Sequence, residues 1–98
     1  MYEILNRLTP RQLKEIATYN HLACNYANEG ESGEADRREW YLNGYLSALE
    51  DTELISDVEY GKLIQWLKRD RSEYLFDFVN IKESIEEITE KEKVNEHS

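Results

Sequence analysis

His21 and Cys24 stand three residues apart, a spacing that puts both on one side of a helix, where they could share a transition metal or pair as base and nucleophile. Neither chemistry is completed elsewhere in the chain. A metal site needs three or four ligands, and the second histidine is His97, at the far C-terminus. Cys24 falls on an apolar stripe, where burial would hold the thiol protonated. The segment Leu54-Ile55-Ser56-Asp57-Val58-Glu59-Tyr60 resembles the end of a calcium loop, yet Glu59 at the twelfth loop position would put Ala48 at the first and Glu53 at the sixth. Those positions need an oxygen ligand and a glycine. The serines occur in no nucleophile-elbow or phosphate-loop setting, and Gly30-x-x-Gly33 lacks a preceding strand and a P-loop lysine. Adjacent carboxylates such as Glu50-Asp51 and Glu86-Glu87 belong to an abundance of acids that are normally solvated. The residues therefore predict a protein that is not an enzyme, with no catalytic residue, no metal site and no cofactor.

What the chain does concentrate is negative charge. Residues 29–59 hold ten acids and two bases, residues 60–82 are slightly basic, and residues 83–98 carry six acids against two bases. Lys68, Arg69 and Arg71 form the densest basic cluster, interrupted by Asp70 and Glu73, so no patch tracks a phosphate backbone. Direct binding to nucleic acid or an anionic membrane is not expected. Two readings of the acidic middle stand side by side. One is a solvated face that keeps a small domain soluble. The other is a contact surface for a basic protein, carried by Glu29, Glu31, Glu34, Asp36, Glu39, Glu50, Asp51, Glu53 and Asp57.

Helices must position these residues. Thr9 before Pro10 is a helix start, because threonine can cap free N–H groups and proline at the first position has none to lose. Leu13, Ile16, Ala17, Asn20, Cys24 and Ala27 then share a face to about Asn28. Asn20 is the polar member of that stripe and is expected to hydrogen-bond to a neighbouring helix or cap it. After a Gly30/Gly33 turn, a second helix spans about Glu34 to Asp51, with Arg37, Tyr41, Gly44, Tyr45, Ala48 and Leu49 on one face and Trp40, Leu42 and Leu46 flanking it. Its wide apolar stripe marks it as the candidate central helix. Ser56-x-x-Glu59 has capping-box spacing, with Ile55 and Tyr60 placed to close as a staple, and opens a third helix to about Arg69. Residues 74–81 are rich in strand-favouring types, but Leu75, Phe78, Lys82, Ile85 and Ile88 recur at helical spacing and predict a fourth helix from about Ser72 to Lys91. Tyr2, Ile4, Leu5 and Leu8 suit a short extra turn packed on the bundle.

The expected fold is thus all-α, a small bundle of three to four helices with short connections. It forms a single domain over residues 1–91, followed by a flexible acidic tail at 92–98. At 98 residues, with a net charge of −9, 34% charged residues and one cysteine, the chain can build one core without a disulfide, and a cytoplasmic location is expected. No apolar run approaches the ~18 residues of a membrane span. Seven tyrosines, two tryptophans and two phenylalanines are many for so polar a sequence. Tyr19, Tyr26, Trp40 and Trp66 lie off the main stripes, a pattern that fits either a partner-binding or self-association face or a thick core.

The run Trp40-Tyr41-Leu42-Asn43-Gly44-Tyr45-Leu46-Ser47-Ala48-Leu49, with Leu54 to Tyr60 after it, resembles a pattern in small accessory proteins of Gram-positive phages and conjugative elements. That resemblance covers about a quarter of the chain and carries over no functional residue. It implies a protein that acts by binding a host or element protein, including as an inhibitor of defence nucleases. The functional expectation is a regulator or inhibitor that binds a protein partner through the acidic middle together with Trp40 and Trp66. The alternatives are a nucleic-acid mimic of anti-restriction or anti-CRISPR type that blocks a nucleic-acid-binding protein, and a structural homo-oligomer.

Overall fold

A computed structural model describes residues 2–68 and 70–96. Five helices follow one another: α1 (Tyr2–Arg7), α2 (Pro10–Asn28), α3 (Ser32–Asp51), α4 (Asp57–Leu67) and α5 (Ser72–Glu96), with no strand among the described residues. The all-α expectation holds. The count of three to four helices is corrected to five, because Tyr2–Arg7 forms a full element rather than a loose turn.

Local chemistry sets the boundaries. At α2, Gln12 N–H donates to Thr9 Oγ1 at 3.2 Å and Thr9 N–H to Gln12 Oε1 at 2.8 Å, with Pro10 opening the helix. Ser56 and Glu59 make the same reciprocal pair at α4, at 3.2 and 3.0 Å, with Ile55 buried before the cap and Tyr60 packed against the core after it. The exits of α2 and α3 are built alike. Glu31 N–H reaches back to Tyr26 O and Gly30 N–H to Ala27 O, while Leu54 N–H reaches Leu49 O and Glu53 N–H reaches Glu50 O. These paired bonds need a left-handed residue after the helix, which is Gly30 (φ 80°) in the first case and Glu53 (φ 64°) in the second.

The core joins Leu5, Leu8, Leu13, Ile16, Leu46, Ile55, Leu63, Leu67, Leu75 and Val79, all almost completely buried. The central helix is α2, which packs along both α3 and α5. The expectation that the 34–51 helix is central is corrected, and so is its phase. Its buried residues are Ala35, Leu42, Leu46 and Leu49, whereas Arg37, Tyr41, Gly44 and Ala48 are exposed. The leucines set the rotation, since they bury without a polar atom, while tyrosines on the adjoining face keep their hydroxyls at the surface.

The last helix is anchored through its middle, and the turns that follow are exposed as far as Lys91. Lys82 Nζ donates to the carbonyls of Leu5, Asn6 and Leu8 at 3.1, 3.3 and 2.5 Å, capping the C-terminal end of α1, and Lys14 pairs with Glu83 at 2.6 Å. From Ser84 to Lys91 every residue is exposed. Ile85 and Ile88, expected on an inward stripe with Leu75 and Phe78, therefore face solvent, because α5 outruns the helices beside it. The helix also continues past the expected end at Lys91 to Glu96, and the flexible tail expected at 92–98 falls partly on His97 and Ser98, outside the described residues.

Candidate functional site

A groove of about 360 Å³ opens between α2, α3 and the end of α4. It exists because the facing positions are small. Ala23, Cys24 and Ala27 on α2 and Ala35 on α3 leave a floor that Leu42, Ile64 and Leu67 complete. Asp36 and Glu39 stand on its α3 side, Asn43 lies beyond them, and Lys68 closes the α4 end. Trp40 is 78% exposed and does not line the groove, but it stands one helical turn from both Asp36 and Asn43, which do.

Cys24, expected as a buried core residue, is half-buried on the groove wall. Desolvation pushes its thiol up from the usual range, and the nearby Asp70 and Glu39 charges push it the same way, so it stays protonated at neutral pH and is a poor nucleophile. His21 on the same helix is exposed. Among the described residues no three His, Cys, Asp or Glu side chains converge as a metal ion would require.

The acidic residues singled out by sequence do not form one face. Glu29, Glu31, Glu34, Asp36 and Glu39 cluster around the start of α3, next to the groove and Trp40. Glu50, Asp51, Glu53 and Asp57 gather at its other end. Glu39 and Glu50 are about 16 Å apart along the helix at ~1.5 Å per residue. Basic side chains stand at both ends. At the far end, Arg7 donates to Leu54 O at 3.2 Å and ion-pairs with Glu59, and a second, shallower hollow there is lined by Arg7, Glu50, Glu53 and Asp57. Glu50 is half-buried. At the groove end, Glu34 lies 3.6 Å from Arg37 and 3.9 Å from Arg38, while Glu29, Glu31, Asp36 and Glu39 are exposed.

Trp66 is set apart from the groove and from Trp40 by its packing. It is half-buried, packs against the core and meets Tyr74 edge-on with centroids 5.5 Å apart. The other off-stripe aromatics are also largely internal. Tyr19 packs on the core beside Tyr45 and Tyr41, and Arg38 lies 5.7 Å from the Tyr26 ring centre and 5.8 Å from that of Tyr41, filling the seam between α2 and α3 with cation–π contacts. Of that aromatic set, Trp40 alone stands well clear.

No family model matches the chain, and no curated protein or solved structure matches it either. What the groove can bind follows from its chemistry. Sequence reasoning missed it because its signal is an absence of bulk, the run of small residues at Ala23, Ala27, Gly30 and Ala35, which also reads as close helix packing. No helix among the described residues is long and apolar enough to cross a membrane.

Proposed function

We propose that this chain is a non-enzymatic protein that binds another protein, gripping a basic amphipathic helix or extended segment in the groove between α2 and α3. One observation carries this reading: an apolar floor of alanine, leucine and isoleucine side chains with Asp36 and Glu39 at its edge and further exposed acids just beyond. Apolar anchors of the partner would enter the floor, and its lysines or arginines would meet the rim and the Glu29/Glu31 turn. Trp40, large and rigid at the border, is suited to be the dominant contact. The remoter acids at the far end of α3 raise the rate of encounter through their field and make it sensitive to salt.

Affinity capture from host lysate with quantitative mass spectrometry tests this when three baits run side by side: the natural chain, Ala27→Trp to fill the groove, and a Glu31/Glu34/Asp36 triple reversal to lysine. The expected result is a basic protein retained by the first bait and lost from both variants, with circular dichroism showing each variant folded. A partner held equally by all three would remove the groove from the account. Competition between the captured protein's nucleic acid and this chain for one site would narrow the reading to a nucleic-acid mimic; simultaneous binding of both would exclude that version.

A further inference from the structure

The exposed end of α5 carries a second surface, on a different helix from the groove and independent of its function. Ile81, Ile85 and Ile88 are 58%, 58% and 57% exposed and follow one another at spacings of four and three. With Tyr74 and Phe78 upstream they continue a 4-3 stripe of the kind that seats one helix against another. This stripe is rotated away from Leu75 and Val79, which face the core. Residues 84–91 are exposed throughout, yet they include two β-branched isoleucines, poor supports for a helix standing alone in water.

We infer that this face pairs with the same face of a second copy of the chain, antiparallel, with the two-fold axis passing beside Ser84. The charge pattern selects that occupant. An antiparallel pairing that sets Ile81 against the partner's Ile85, and Phe78 against the partner's Ile88, also brings Asp77 opposite the partner's Lys91, twice by symmetry. Ser84 meets its own copy, and Thr89 lies on the other flank. The acids of this stretch, Glu83, Glu86, Glu87 and Glu90, all fall on the outer sides of the helix. Lys82, which would otherwise meet its like across the seam, is drawn onto the α1 carbonyls. α5 itself carries eight acids against three lysines, so the two helices repel at long range and the contact should strengthen as salt screens that repulsion. A seam over residues 77–91 is about 22 Å long at ~1.5 Å per residue. It falls below the ~1,200 Å² of a standard interface, so the dimer is a weak one.

Sedimentation equilibrium of the full chain from about 10 μM to about 1 mM reads this directly. The average mass should climb from 11.7 kDa towards twice that value. Ile85→Asp, an exposed position whose change leaves the core intact, should hold the chain at monomer mass with unchanged near-ultraviolet circular dichroism. Asp77→Lys and Lys91→Asp should each weaken association about tenfold, and the double swap should restore it. In a Cys24→Ser background, Ser84→Cys should cross-link to dimer under mild oxidation. A monomer throughout the range overturns the proposal. So does a dimer indifferent to Ile85→Asp and the charge swap, or an Ile81/Ile85/Ile88 face that takes a different protein and never its own copy.

Discussion

Asn20 Nδ2 donates a hydrogen bond of 2.9 Å to Ser72 Oγ, and both residues are buried, which fastens the middle of α2 to the first turn of α5. Breaking one side of a buried pair leaves the other unpaired, at a cost of about 1–3 kcal/mol. Asn20→Leu and Ser72→Ala should each lower stability by that amount in urea unfolding. The double variant should cost less than the two together, because no orphaned polar group remains. Strict additivity would show that the two side chains are satisfied separately.

A second stability prediction concerns acid. The Ser56 backbone N–H bond, followed by the Arg7 guanidinium, holds the Glu59 carboxyl below the usual range. Its folded pKa thus lies under its unfolded one, so the contribution is complete above the unfolded value of ~4.3 and is lost as pH falls through the folded value. Glu59→Gln should flatten the stability–pH curve in that acidic window and leave neutral stability less affected than Glu59→Ala, which removes the cap altogether. Denaturant midpoints measured from neutral to acid pH check both.

Glu53 ends α3 in the left-handed region at φ 64°, a conformation that costs a non-glycine L-residue roughly 1–2 kcal/mol. Glu53→Gly should therefore stabilise the protein by about 1 kcal/mol, a rise of roughly 4–8 °C in Tm for a domain of this size. An unchanged or lower Tm would mean that the carboxylate supports the turn in some other way.

Cys24 offers a chemical probe of the groove. Its raised pKa and half-burial predict slow reaction with a disulfide reagent at neutral pH, faster as pH rises towards the thiol's titration. Once a partner is in hand, occupancy of the groove should slow the reaction further. Labelling as fast as that of a free peptide thiol would show the groove wall to be open.

The helix starts were legible because each depends on side chains a few residues apart. Thr9-Pro10 and Ser56-x-x-Glu59 close their caps as their spacing implies, and Asn20 finds its interhelical partner. The rotation of α3 was not, since Tyr41 and Leu42 both count as apolar along the sequence and only packing decides which turns inward. The same limit hid the division of the acids. Charge summed over residues 29–59 says nothing about the length of helix that holds Glu39 apart from Glu50. The groove was less visible still, because it depends on which small residues of α2 and α3 come to face each other.

The bond from Lys82 to the end of α1 also has a consequence in time. Leu8 and Lys82 are separated by 74 positions, and at about 5–20 residues per second a ribosome takes roughly 4–15 s to supply the second after the first. For that interval α1, six residues long and rich in isoleucine and leucine, has neither its cap nor much of the core that buries it. Helix α1 is thus synthesised well before the residue that secures it, and a nascent chain that has not yet reached Lys82 carries it unlatched.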